Sequence, residues 1–244
     1  MKKCLAFVFI SLVCYSVFAQ EKVIKLASLD WEPYIGKSIP NNGYVAQIAV
    51  EAFKTQGYKV EIDYLPWARA VDESKLGSYD GLFPEYMDET RKPDFVYSDS
   101  FKGGPVGFMK RKDKKIATTK LEDLKSFTIG TVRGYVNTTE FDNAKFLKKE
   151  EAVDDETNIK KLNANRIDLI VIDKYVGMSI IAKKFPTYRA EMEFMEPALE
   201  EKPLYICFSK KAPNYQEKLQ AFNSGLKEIT KNGTLAKILK EFEE

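Results

Sequence analysis

The sequence predicts an α/β fold with mostly parallel sheets. Three observations predict it. Strand-like and helix-like patterns alternate along the whole chain. The apolar run at residues 167–172 reads as a strand buried in a sheet. No internal repeat, low-complexity segment or long polar linker interrupts the rhythm.

The elements follow in order. Residues 23–29 read as a strand. Val45, Ile48, Ala49, Ala52 and Phe53 recur at helical spacing, and Gly57 stops that helix. Residues 59–64 alternate polar and apolar as a strand. Residues 79–83 form a short strand signal, followed by Pro84 and an acidic turn. Arg91 comes next, then an aromatic strand with a polar stop, Phe95-Val96-Tyr97-Ser98. Thr119-Lys120-Leu121-Glu122 has the form of a capping box ahead of a strand at 127–131. A glycine-bounded turn at 130–134 leads to a helix starting near Thr138 or Thr139. A helix at 158–165, the strand at 167–172 and a helix at 175–183 follow. The chain closes with an apolar strand at 204–208 and helices at 215–231 and 235–242, separated by Asn232-Gly233.

The first residues set the compartment. Lys2 and Lys3 precede an apolar run ending in Val17-Phe18-Ala19. This is the pattern of a secretory signal peptide, residues 1–19, and it places the mature chain in the periplasm. The run is short for a membrane span. A lipoprotein reading through Cys14 ranks second, because Val13 is bulky for that signal. Without Lys2 and Lys3, 36 Lys+Arg face 36 Asp+Glu, so charge points to neither nucleic acid nor a membrane surface. Of three cysteines only Cys207 remains, which excludes an internal disulfide. Its apolar surroundings mark a small buried side chain. The absence of histidine excludes serine–histidine and cysteine–histidine nucleophiles and histidine metal sites. No cofactor or metal is expected.

The stretch from Gly77 to Phe101, GSYDGLFPEYMDETRKPDFVYSDSF, carries the strongest signal. An arginine beside a strand end can grip a carboxylate with two parallel hydrogen bonds. The order of features resembles the family 3 bacterial solute-binding proteins, which bind polar amino acids for import. In that family a strand ending in Asp-Ala/Gly leads to a Thr-x-x-Arg turn and a Phe-Ser segment. Here Thr90 directly precedes Arg91 and the connection is shorter.

The resemblance implies a two-lobed periplasmic binding protein type II fold with a ligand cleft between the lobes. Lobe one is expected at residues 20–107 plus 205–244, and lobe two at 108–204. The hinge is expected at 106–110 and 204–209. Gly103-Gly104-Pro105 and Glu200-Glu201-Lys202-Pro203 are the sequence breaks. The implied function is capture of a small polar, carboxylated or amino-acid-like ligand for an ABC importer, by a monomer.

The resemblance also populates the cleft. Trp31, two positions before Pro33, takes the place of an aromatic that stacks on ligand; a core role is the alternative. Trp67 follows Pro66 at a second cleft position. Arg69 either reaches ligand or pairs with an acid such as Asp72. Arg91 would hold an anionic group. Glu85 stands where amino-acid binders place small hydroxyl residues. It either receives a cation or pairs with Arg91 or Arg69, and Pro84 removes a backbone donor beside it. Lobe two contributes Arg133, Tyr135 and Asn137 from the glycine turn. Asp173 would hold a ligand amine, or pair with Lys174. Two other functions share the fold: a periplasmic dehydratase-like enzyme, and a module that presents ligand to a sensor.

Overall fold

The computed structural model describes residues 22–117 and 120–243. The elements of the N-terminal part are β1 (Lys22–Ser28), α1 (Tyr44–Thr55), β2 (Tyr58–Tyr64), α2 (Trp67–Leu76), β3 (Gly81–Glu85), β4 (Phe95–Tyr97) and β5 (Phe101–Arg111). Then come β6 (Thr128–Val132), α3 (Thr139–Asn143), β7 (Lys148–Ala152), α4 (Asp155–Asn163), β8 (Leu169–Asp173), α5 (Lys174–Lys184) and β9 (Met192–Phe194). The C-terminal part is β10 (Glu200–Ser209), α6 (Tyr215–Lys231) and α7 (Thr234–Glu243). The proposed signal peptide, residues 1–19, lies outside the described residues.

Strand β10 serves two sheets. Its C-terminal half pairs antiparallel with β3 and β4, and β3 joins the parallel pair β1 and β2. Its N-terminal half pairs antiparallel with β5. Strand β5 runs on antiparallel to β8 and β9, and β8, β6 and β7 are parallel. Each sheet is the centre of one lobe. The parallel strands expected from the alternating pattern are therefore present, tied together by antiparallel long strands.

The strands that connect the lobes pair from Phe101 to Val106 against Glu200 to Leu204. The segments 106–110 and 204–209, expected as the hinge, overlap this crossing only at Val106 and Leu204. Val106 to Lys110 pairs with β8, and Cys207 to Ser209 pairs with β4. The Gly103-Gly104-Pro105 run is thus strand interior. Its glycines permit the close approach: a Cβ on Gly103 would stand 2.0 Å from the Lys202 carbonyl oxygen, and one on Gly104 2.2 Å from Tyr34 Oη.

Local physics accounts for most elements. Helix α1 buries Val45, Ile48, Ala49, Ala52 and Phe53, and Gly57 follows it at φ +75°. Strand β8 is buried on both faces. Ile170 and Ile172 pack with Ile159, Leu162 and Ile181, whereas Leu169 and Val171 join the main core. Cys207 is fully buried, as its apolar run suggests.

Several features depart from the sequence reading, strand β9 among them. Strand β3 continues through Pro84 to Glu85. Helix α4 starts at Asp155, because the Asp154 side chain accepts from Thr157 N at 2.7 Å. Helix α2 escapes the pattern because only Trp67, Ala70, Val71 and Ser74 form its buried face. Strand β7 escapes because Lys148, Glu150 and Glu151 are exposed on a charged edge. In the expected capping box, Thr119 lies outside the described residues. The single helical turn Leu121–Leu124 starts from Lys120 without a side-chain cap.

Candidate functional site

The site is assembled from loops at the ends of strands, as in other α/β folds where the scaffold positions the chemistry. The loop after β1 is closed on itself, with Trp31 N donating to Ile35 O at 2.8 Å. It presents the Trp31 indole, which stacks on Tyr34 at 4.8 Å between centroids. Trp31 Nε1 is buried and faces the Asp155 carboxylate, near enough to stabilise its ionised form but outside ordinary hydrogen-bond geometry.

Lobe two reaches across at Gly134, where φ is +81°. The Gly134 carbonyl oxygen accepts from Trp67 Nε1 at 3.1 Å and from Arg91 Nη2 at 2.6 Å. A Cβ on Gly134 would sit 3.2 Å from Ala68 Cα, so this turn rests directly on α2. The next residue, Tyr135, meets Trp31 and Trp67 edge-on at 6.4 and 6.3 Å. Its hydroxyl donates to Asp155 Oδ2 at 3.0 Å.

A second bridge between the lobes centres on Asp173. Its Oδ2 accepts from Tyr34 Oη at 2.9 Å and Tyr86 Oη at 3.1 Å. Its Oδ1 accepts from Tyr175 N and Val176 N at 2.9 and 3.2 Å, which caps α5. The carboxylate is fully engaged by these four donors.

Trp31, Trp67, Tyr86 and Tyr135 line a small, partly open pocket of about 20 Å³, with Glu85 and apolar residues such as Leu29 and Leu204 on its wall. That space holds one water-sized group. Trp31, Trp67 and Tyr135 also border an open groove of about 510 Å³, which Asp155 joins from lobe two. On the other side of Tyr135 a depression of about 310 Å³ runs between Thr90 and Asn137.

The site is rich in buried acids. Glu85 accepts from Arg91 Nε and from Tyr86 N, each at 3.0 Å. Burial nevertheless pushes its carboxyl up to about 7, opposed by Arg91. Burial pushes Asp155 up to about 7 as well, opposed by Tyr135 and Trp31. Asp173 rises to about 6 for the same reason, opposed first by Tyr34. Burial raises the Tyr34, Tyr86 and Tyr135 hydroxyls, so these remain donors.

The structure brings Trp31, Trp67, Glu85, Arg91, Tyr135 and Asp173 together. It also gives several of the expected residues partners within the protein. Arg91 turns to Glu85 and Gly134 rather than standing open to a ligand carboxylate; the side chains of the pair are 11 and 3 % exposed. Asp173 accepts from the helix cap and two tyrosines, and it does not pair with Lys174, which meets Glu196 at 2.6 Å. Arg69 lies outside the site because the buried face of α2 is opposite it; its side chain is 64 % exposed and pairs with Glu73 at 3.2 Å, not Asp72. Arg133 also points to solvent, 68 % exposed, with Nε 3.3 Å from Glu151 on β7. Asn137 is buried but holds its own turn, donating from N and Nδ2 to Asp142 at 2.8 and 2.9 Å.

Sequence reasoning missed Tyr34, Tyr86, Gly134 and Asp155. The acidic run Asp154-Asp155-Glu156 ahead of a helix was the available signal for Asp155. Nothing local distinguishes Tyr34 or Tyr86 from the other tyrosines.

The raised carboxyls set a pH dependence. A carboxyl whose folded value exceeds its unfolded value adds stability below the unfolded value and loses it as pH rises through the folded one. Glu85, Asp155 and Asp173 all have this sign, and the chain has no histidine to titrate alongside them. The ligand-free protein is expected to lose melting temperature between about pH 5 and about pH 8. Asp155→Asn should flatten that slope. A melting temperature that rises or stays level over this interval would refute the assignment.

Comparison with known proteins agrees with this architecture. The family model described as "Bacterial extracellular solute-binding proteins, family 3" matches residues 27–243. An arginine-binding extracellular protein, ArtP of Bacillus subtilis (strain 168), is 24 % identical over 237 residues, covering 91 % of this chain and 86 % of that protein. Among solved structures, a mutant of ArgBP from T. maritima superposes with a TM-score of 0.76 at 18 % identity, covering 90 % of this chain and 94 % of that one. An ancestral arginine-binding protein bound to arginine gives 0.75 at 23 %, covering 90 and 97 %. These likenesses carry the two-lobed type II periplasmic binding fold. The family and its neighbours are binding proteins, and their setting is extracellular or periplasmic. This chain belongs to the bacterial extracellular solute-binding proteins, family 3.

Proposed function

We propose that this protein captures a small polar solute bearing a cationic nitrogen and delivers it to the membrane permease of an ABC importer. It acts in the periplasm as a monomer, after removal of residues 1–19. Lobe one comprises residues 20–107 plus 205–244, lobe two comprises 108–204, and the solute binds between them without being chemically changed. Trp31, Trp67, Tyr135, Glu85 and Asp155 contact it, while Arg91 positions Glu85. The observation that carries this reading is an interlobe aromatic pocket with Glu85 on its wall, opening beside a groove that Asp155 lines. Aromatic rings and acids together favour cations. The arginine-binding names of relatives are consistent with such a solute.

Solute capture implies hinge closure. The bonds from Trp67 and Arg91 to Gly134, and from Tyr34 and Tyr86 to Asp173, belong to the closed form. Small-angle scattering should match this closed form at ligand saturation and give a larger radius of gyration without ligand. A thermal-shift screen of amines and amino acids supplies the ligand, because binding raises apparent stability. Identical scattering curves with and without a bound ligand would reject the closing mechanism. Mass spectrometry of recovered ligand checks that it leaves unaltered.

A further inference from the structure

We propose that the solute is a small primary alkylamine with no carboxylate beside its amine, and that Glu85 is the residue that selects it. This rests on the reading that the cleft binds a solute between the lobes. It departs from the amino-acid ligand that the resemblance implies.

The first observation is that Arg91 already has its carboxylate. Glu85 Oε2 lies 3.0 Å from Arg91 Nε, and Arg91 Nη2 donates to the Gly134 carbonyl. A ligand carboxylate would compete for a guanidinium already in use and would meet Glu85 as a like charge. Pro84, next to Glu85, offers no N–H to soften that meeting. The protein's own side chain thus stands in for the anionic half of a zwitterion.

The second observation is the shape of the enclosure. Its volume of about 20 Å³ takes one water-sized group, the size of an ammonium head. Trp31, Trp67, Tyr86 and Tyr135 wall it together with Glu85, and a cation seated over a ring face there is attracted to it. The adjoining groove shares Trp31, Trp67 and Tyr135, so an alkyl chain can continue from the enclosure into it.

The third observation is charge. Glu85, on the wall of the enclosure, is paired to Arg91, and Asp155 lines the adjoining groove as a second buried acid. The other buried cation nearby, Lys202, stands 3.6 Å from Glu200 and 5.5 Å from the centre of the Tyr86 ring. An alkylammonium ion offsets the surplus of acid. An amino acid brings a carboxylate with its ammonium and so offsets one charge less than the amine that lacks it.

Calorimetry on the full mature chain tests this with four probes: cadaverine, lysine, putrescine and ornithine. Each diamine is expected to bind about tenfold or more tightly than the amino acid that carries its extra carboxylate. Glu85→Gln frees Arg91 from its charge partner and should shift the preference toward lysine and ornithine by about tenfold. Lysine or ornithine binding the wild-type protein as tightly as its diamine overturns the proposal, yet leaves solute capture standing if scattering shows closure. Absence of binding by all four probes at about 1 mM also overturns it. A Glu85→Gln protein that folds and keeps the full diamine preference would remove Glu85 as the selector. If that variant fails to fold, the wild-type comparison still decides the ligand class.

Discussion

Arg91→Ala is expected to destabilise the folded protein by about 3–5 kcal/mol at pH near 8, the usual range for breaking a buried ion pair. The cause is what remains. Glu85 is almost wholly buried, with Arg91 as its cationic partner among the described residues at 3.0 Å and Tyr86 N as a further donor. Removing the guanidinium leaves an uncompensated carboxylate and frees the Gly134 carbonyl of one of its two donors. The loss should shrink toward pH 5, because Glu85, already raised to about 7, then carries a proton. Replacing both partners with apolar side chains should recover most of the stability, since a buried pair contributes little beyond satisfying itself. Urea titrations of the two single variants and the double variant measure this cycle. A loss below about 1 kcal/mol would place Glu85 in contact with water and contradict the buried pair.

Asp173→Ala is the second large effect. It removes the N-cap of α5 and orphans two buried tyrosine hydroxyls. A cap contributes roughly 1 kcal/mol, and each orphaned buried donor costs roughly 1–3 kcal/mol, so a total of about 3 kcal/mol or more is expected. Binding should weaken too, because Tyr34 and Tyr86 reach Asp173 from the opposite lobe. Asp173→Asn keeps an oxygen that can cap the helix and should cost less, while still weakening closure. Denaturation reports the first effect and scattering with saturating ligand reports the second. An alanine variant as stable and as compact as wild type would show that these bonds do not hold the lobes.

Helix α1 and helix α6 were legible because each buries an apolar stripe at helical spacing. The buried strand β8 was legible because both of its faces are covered. Helix α2 and strand β7 were not. Half of α2 and most of β7 are polar, and their conformation is fixed by neighbours: the packing of Trp67, Ala70 and Val71 beneath one, and the ladder to β6 beside the other. The same limit applies to the site. Trp31 and Trp67 flank prolines after strands, a local signature that survives folding, and both line the cleft.

Arg69, Arg91 and Arg133 look alike in sequence, yet each meets a different carboxylate. Arg69 finds Glu73 one helical turn away, Arg133 finds Glu151 across a strand pair, and Arg91 finds Glu85 in the interior. Asp173 and Asp155 both open helices in lobe two, but four donors saturate the first, while the second stays beside the open groove. Sequence by itself determined the α/β alternation, the apolar faces and the aromatic loops, because those depend on residues close together in the chain. The choice of partner for each charge, and therefore what the cleft can accept, was decided only by the tertiary structure. Ionic pairing depends on distance and burial, and both are set by segments far apart in sequence.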